Sequence, residues 1–540
     1  MGGRPSGRLM RERATRSRRE SSAPPARLNS GAVVIEIAPD FAAFKAAYDA
    51  GRPQVAHLRL VDDLETPVSA YLKVGHGRPY AFLFESVEGG AWRGRYSIIT
   101  LNPDLVWRCR GDAAEIAEGD HIAAGRFRPE PPGALASLRA LIDRSRLELP
   151  PELPPMAAGV FGAIGYDMVR LVEPLPGGNP DPLGLPDSII TRPSVIAVFD
   201  SIAQEILLVA AVRPSALSAR AAYDKAAADI AAISAELRRP IAPRREPQPW
   251  APEAFSTPVD RAAYAGIVEK AKAYIRAGDI FQVVPSHRMR TPFPLDTFAF
   301  YRALRRLNPS PFMFYLNFGD FQLAGSSPEI LVRLRDGKIT IRPIAGTRPR
   351  GKTPAEDLRL EQELLADPKE RAEHLMLLDL GRNDVGRVAG LAEPGRNSAR
   401  SPAVRVTESF AIERYSHVMH IVSNVEGDAP KDVDPVDVLM AALPAGTLSG
   451  APKVRAMQII DELEVEKRGI AYAGAAGYIG SDGAVDTCIL LRTACFKDGV
   501  MYVQAGGGVV ADSDPDAEYD ETLHKARALH RAAEEAWRFT

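Results

Sequence analysis

Apolar residues recur along this chain with two periods, and the switching between them predicts strands and helices in irregular order. Tyr80-Ala-Phe-Leu-Phe-Glu-Ser86 is an apolar run closed by two polar residues, as expected of a buried strand. Residues 95–100 and 194–199 are short β-rich runs and predict two more. Residues 215–238 are Ala-rich with charges interspersed, which predicts a helix docked on the surface. Residues 240–249 hold four prolines; no helix or central strand tolerates that, so a linker is placed there. The second half opens on a helix signal: Thr257 as cap, Pro258 at the first helical position and Asp260 three residues after the cap. Tyr264, Ile267, Val268, Ala271 and Ile275 follow at helical spacing until Gly278 stops the run. Further strands are predicted at 280–284, 321–324, 339–343, 475–479, 487–491 and 501–504, and helices from Pro368, from Pro452 and over 518–531. There is no βα alternation and no fixed-period repeat. The fold class expected is therefore α+β, with large mixed or antiparallel sheets packed with helices.

Size and charge narrow the picture. A chain of 540 residues exceeds the roughly 250–300 at which one core stops growing. Three regions are expected: a tail over 1–30, an N-terminal region over 31–245 and a second region over 246–540. The tail holds eight Arg against two Glu and almost no apolar residues, which reads as a disordered basic segment or an overlong start. With a net charge of −2 the chain as a whole offers no reason to bind nucleic acid or an acidic membrane. No apolar run approaches a membrane span. The three cysteines are too few and scattered for a disulfide framework, and a reducing cytoplasm is the expected location.

Some residues carry candidate chemistry on their own. The helix from Pro368 contains Glu373-His-Leu-Met-Leu-Leu-Asp-Leu380, apolar almost all round, and is expected to be buried. Glu373 shares a face with Met376, Leu377 and Leu380. A carboxylate there is costly unless paired, for instance with Arg382 or Arg387, or bound to a cation. The acidic run 512–521 departs from the spacing of a calcium loop. It reads either as a solvated entry to a helix or as the source of a second carboxylate for one hard cation such as magnesium. Gly446-Thr-Leu-Ser-Gly-Ala-Pro-Lys453 fails the phosphate-loop spacing, although the helix that Pro452 opens has free N–H groups that favour anions. Gly506, Gly507 and Gly508 let backbone N–H groups approach a ligand closely. No nucleophile constellation is present: Cys109 lacks the elbow glycine, and Cys488 and Cys495 sit in apolar strands.

Read as strings, the same segments are far more specific. Residues 343–351 (PIAGTRPRG), 373–384 (EHLMLLDLGRND), 415–420 (YSHVMH), 446–455 (GTLSGAPKVR) and 486–493 (DTCILLRT) occur in one order. Together they closely resemble the chorismate-utilising enzymes, and within them the large-subunit family of anthranilate synthase, component I. The resemblance runs from about residue 33 to the end. It implies a magnesium-dependent lyase that adds ammonia to chorismate with loss of the C4 hydroxyl, then eliminates pyruvate to leave anthranilate, in tryptophan biosynthesis. The matching metal ligands are Glu373 and Glu521, with Glu518 as a nearby candidate. The general acid falls on Glu329, and His420 matches the family's active-site histidine. Thr447, Gly346 and Thr347 match groups at the substrate, as do Tyr472, Arg492 and the glycines 506–508, which hold its carboxylates. Lys525, one turn past Glu521, is placed to neutralise the acidic run.

Two positions sort the branches of the family. Isochorismate-forming relatives carry a water-activating Lys where this chain has Gln282, and an amide cannot be that base. Aminodeoxychorismate relatives carry a nucleophilic Lys where this chain has Ala345, and a methyl is no nucleophile. Ammonia as nucleophile and anthranilate as product are therefore expected; an aminodeoxychorismate synthase component, a relative stopping at the aminated intermediate, and a non-catalytic amino-acid sensor are the alternatives. With no glutaminase elbow in the chain, a separate glutamine amidotransferase subunit (component II) is implied as partner, in a heterotetramer. The resemblance further implies feedback inhibition by tryptophan, bound by Glu85 and Ser86 of Leu-Phe-Glu-Ser, by Asn308, Pro311, Phe312 and Met313 of Asn-Pro-Ser-Pro-Phe-Met, and by Tyr478 and Cys488.

Overall fold

The computed structural model describes residues 36–86, 94–241, 246–389, 404–415 and 418–540; the basic tail expected over 1–30 lies outside them. Every strand pairing among the described residues is antiparallel, and the strands form two large sheets that share two of their members. In the first sheet the order is Gln54–Val61, Glu205–Val212, the second half of Ser188–Asp200, the first half of Tyr96–Arg110, Phe82–Glu85, Phe312–Asn317, Phe321–Ser327, Thr493–Lys497, Val500–Gly506 and Ser286–Pro292. In the second it is Ala113–Glu118, the remaining halves of Tyr96–Arg110 and Ser188–Asp200, then Gly159–Ile164, Ala475–Gly480, Val485–Ile489, Ile330–Arg335, Lys338–Ile341 and Val418–Asp428. Val418–Asp428 also carries Ile344–Pro349 and Val404–Arg414. The two shared strands pass from sheet to sheet where Pro103 faces Pro193 and the register shifts. Proline has no N–H for the ladder, so the pairing breaks and bends there.

Side-chain alternation packs these sheets into four layers. Phe82 and Phe161 face a core between the sheets together with Phe314, Leu323 and Tyr478. Their neighbours point outward: Leu83 into a core under the helices Phe41–Asp49, Ala219–Leu237, Thr297–Leu307 and Pro515–Ala536, and Val160 into one under Ala134–Ser145, Pro368–Ala389 and Pro435–Ala442. Period-2 alternation with both faces buried explains why residues 80–86 read as an unbroken apolar run. Strands from before and after the proline-rich stretch share ladders: Phe82–Glu85 lies on Phe312–Asn317, and Gly159–Ile164 on Ala475–Gly480.

Two local expectations are corrected. The helix Arg261–Ala277 is capped by Asp260, whose carboxylate accepts from the Ala263 N–H, rather than by Thr257. The Thr257 hydroxyl is engaged by the Val259 N–H and His287 instead. Pro368–Ala389 is not buried all round. One face, including His374, Leu377 and Leu378, packs inward, while Leu375 is 57% exposed. Among the described residues no helix is long and apolar enough to cross a membrane.

Candidate active site

The catalytic candidates converge where the ends of several strands meet two helices. Glu329 follows Phe321–Ser327 and is 7% exposed. Its carbonyl accepts from the Ile489 N–H at 3.0 Å, and Thr447 Oγ1 donates to its Oε2 at 3.2 Å. Burial pushes this carboxyl up to about 8, against the opposing pull of Thr447, the Ile344 N–H and the Arg492 guanidinium. It is therefore protonated at neutral pH. His420, which like Glu329 feels the charge of Arg492, is paired with Thr347 beside a break in the register at Gly346. Gly346 has φ +69°, a conformation that favours glycine, and a Cβ there would sit a tight 3.2 Å from Glu370 Oε2, Ile421 and Leu364. The irregularity turns the Gly346 carbonyl to His420 Nδ1 at 3.0 Å, with Thr347 Oγ1 at 3.1 Å. A carbonyl can only accept, so Nδ1 bears the proton and Nε2 keeps its lone pair. Burial pulls His420 down to about 4, which keeps the ring neutral. The site thus holds a protonated acid and an unprotonated base, both under the influence of the Arg492 charge.

Arg492 sits in the turn before Thr493–Lys497 at φ +47°, a conformation that side chains other than glycine seldom adopt. Among the described residues no carboxylate forms an ion pair with it, and burial lowers its proton affinity, with Tyr415 and Glu329 opposing. A guanidinium held so is suited to a carboxylate ligand.

Four carboxylates gather on the other side. Glu373 is raised by burial, then by the charges of Glu370 and Glu521, and Gln282 Nε2 donates to its Oε1 at 3.4 Å. Arg382 and Arg387 do not pair with it; they pair with Asp379 and Glu173. Glu518 is also raised by burial; Ser513 donates to its Oε1 at 2.7 Å, and its Oε2 is buried without a partner. Glu521 pairs with Lys525 at 2.7 Å, and Lys525 also donates to the Gly506 carbonyl at 2.8 Å. A Cβ on Gly507 would lie 2.7 Å from Glu518 Oε2, and one on Gly508 would lie 2.3 Å from Gln282 Nε2. Side chains at 507 and 508 would therefore fill the space around this cluster. Among the described residues no three ligand-type groups are already close enough to cage an ion. An orphaned carboxylate oxygen and two carboxyls raised by burial and mutual repulsion are nevertheless the donor set that fits a hard, oxygen-seeking dication. Glu370 was missed as a member of the cluster. Its place three residues before Glu373, one helical turn away, was the available signal.

Seven of the eight residues expected at a tryptophan site line one cavity of about 730 Å³ on the far side of Glu329. These are Glu85, Ser86, Pro311, Phe312, Met313, Tyr478 and Cys488; Asn308 is not among the lining and hydrogen-bonds Ser326 instead. Pro328 and Ile330 also line the cavity, so its wall includes both neighbours of Glu329. Glu85 is not a free anion. Arg305 donates to both its oxygens, at 2.8 and 3.0 Å, and Tyr301 donates to Oε2. These partners lie on the helix Thr297–Leu307, and nothing local in the sequence signals them.

Residues 102–531 match the family model described as chorismate binding enzyme. The chain is 56% identical over 501 residues to "Anthranilate synthase component 1" of Cereibacter sphaeroides, covering 92% of this chain and 98% of that one. It is 48% identical to the protein of the same name from Pseudomonas aeruginosa, covering 87% and 93%. Among solved structures it superposes on anthranilate synthase component I from Streptococcus pneumoniae with a TM-score of 0.70 and 35% identity, covering 87% and 98%.

Proposed function

The chain belongs to the chorismate binding enzyme family, and on that basis we propose that it is the large, chorismate-binding subunit of an anthranilate synthase. Chorismate and ammonia become anthranilate, pyruvate and water. The observation that carries the reading is that a protonated buried Glu329 and a neutral His420 both feel the charge of Arg492. Arg492, Tyr472 and the N–H groups at 506–508 hold the substrate's carboxylates. Ammonia adds at C2 while Glu329 delivers its proton to the departing C4 hydroxyl, which leaves as water. Hydroxide is too poor a leaving group to go unaided. The new ammonium gives a proton back to Glu329; His420 Nε2 then accepts the C2 proton as the ether bond at C3 breaks, and returning that proton to the departing enolpyruvate leaves pyruvate and an aromatic ring. Gln282, with a buried Oε1 that has no partner, offers an acceptor to an incoming N–H. The buried methyl of Ala345 supports direct attack by ammonia over a covalent Lys intermediate.

Glu373, Glu521 and Glu518, with Glu370 beside them, are the residues that would hold magnesium. A bound dication would supply an anchor for the ring carboxylate and draw off charge as the ring rearranges. Ammonia is supplied by a glutaminase partner, component II, in a heterotetramer. Tryptophan occupies the 730 Å³ cavity and inhibits. Incubation with chorismate, ammonium and magnesium, with identification of the product, is the direct test: anthranilate is expected, and an aminated but non-aromatic product would overturn the reading.

A further inference from the structure

Beneath the site lies a charged pair that no step above uses. Arg468 is 2% exposed, and Glu464 6%. The guanidinium donates to both Glu464 oxygens, at 2.6 to 3.1 Å. Its remaining donors go to two main-chain carbonyls from distant segments: Nη1 to Leu448 at 2.7 Å and Nη2 to Val284 at 2.7 Å. The ring of Tyr472 lies 5.3 Å from its centre, and that of Tyr166 4.7 Å. Glu464 in turn accepts from the N–H and hydroxyl of Ser286, both at 2.8 Å.

The contacts reach segments that carry the chemistry. Leu448 follows Thr447, which donates to Glu329. Val284 follows the strand Gln282–Val283, which is paired with Gly450–Ala451. Tyr472 is a substrate-holding candidate in its own right. A planar fork with five donors can serve two carbonyls and a carboxylate at once, and an ammonium cannot reproduce that geometry. A buried pair of this kind is weak evidence for stability, since its desolvation offsets its attraction. Its consequence here is the fixed relation of three segments.

We propose that Arg468 is a positioning residue for the reaction, clamping the Thr447 loop to the Gln282 strand so that Glu329 meets the leaving hydroxyl in a fixed place. The inference rests on the anthranilate-forming reading above. It is tested on the full chain with chorismate, ammonium and magnesium by a double-mutant cycle of Arg468→Lys and Thr447→Val, with melting followed in parallel. Arg468→Lys is expected to lower kcat by about 10- to 100-fold, as a misplacement on the order of an ångström does, with the KM for chorismate changed by less than about threefold. In the Thr447→Val background the same substitution is expected to cost less than about threefold more, because the path it acts through is already cut. A repeated full loss in that background, or a KM effect without a kcat effect, overturns the clamp. If Lys at 468 fails to fold, Glu464→Gln loosens the same guanidinium and enters the same cycle with the same expectation. A wild type that makes no anthranilate overturns the reading itself; a wild type that makes it while both variants keep full kcat overturns the clamp alone.

Discussion

Replacing Glu329 with Gln tests the acid through two observables that a structural glutamate would not move together. Raising a carboxyl from the ordinary value of about 4.3 to about 8 means that ionising it in the folded protein costs on the order of 5 kcal/mol. The sign follows from proton binding. Between these two pH values the unfolded chain has released the proton and the folded one has kept it, so stability falls as pH rises. Gln at 329 removes that slope. The variant and the wild type should melt together near pH 4 and diverge until about pH 8, with the variant the more stable. An unfolding entropy of about 2.1 cal/mol/K per residue gives about 1.1 kcal/mol/K for the whole chain, so the gap at pH 8 should reach about 4 °C. Scanning calorimetry across pH 5 to 8.5 reads this directly. Over the same range Glu329→Gln should lose about 10²- to 10⁴-fold in kcat, and wild-type activity should decline above about pH 8 when free ammonia, not total ammonium, is held constant. A melting gap that does not grow with pH, or a variant keeping a tenth of the activity, refutes the assignment.

Glu373→Gln and Glu521→Gln should each abolish turnover and weaken magnesium binding measured by titration calorimetry, while the far-ultraviolet dichroism stays native; full wild-type activity in excess chelator would contradict this. Ser86→Phe should fill the cavity beside Met313 and leave catalysis within about twofold while abolishing inhibition across a tryptophan titration, which typically reflects a coupling of about 1–3 kcal/mol; unchanged sensitivity would place the site elsewhere. The isolated chain should use ammonium but not glutamine, and glutamine should become a substrate only when an amidotransferase subunit is added; anthranilate from glutamine and the pure chain would count against a separate partner.

Much of this was legible in the residues, for reasons that differ from place to place. The strand at 80–86 and the helix after residue 260 announce themselves through local periodicity, because both bury a continuous stripe. Glu329, His420 and the carboxylates at 373, 518 and 521 were picked out as candidates through ordered strings rather than through periodicity. What stayed hidden depends on contacts across long separations. Thr257 looks like a cap until His287 takes its hydroxyl. Glu85 looks like a free anion until Arg305, 220 residues on, closes over it. Glu464 and Arg468 lie in the charged stretch Glu464-Val-Glu-Lys-Arg468, whose two ends are buried against loops from both sides. Pattern reports which face is apolar; it carries no information on which distant carbonyl a buried charge will meet.

The strands that flank the two shared strands have a consequence for how the chain is made. Gly159–Ile164 finds its second neighbour only in Ala475–Gly480, roughly 310 residues later, and such non-local pairing is intrinsically slow. On a ribosome adding about 5–20 residues per second, the earlier strand waits roughly 15–60 s with one edge open. Phe82–Glu85 waits likewise for Phe312–Asn317. The nascent N-terminal half is therefore a sheet with unsatisfied edges and an uncovered inner face, the kind of surface that associates with other chains. Its escape from aggregation then depends on how soon the later strands arrive, so translation speed and chaperone capacity bear on the yield of folded protein alongside the free energy of the finished fold.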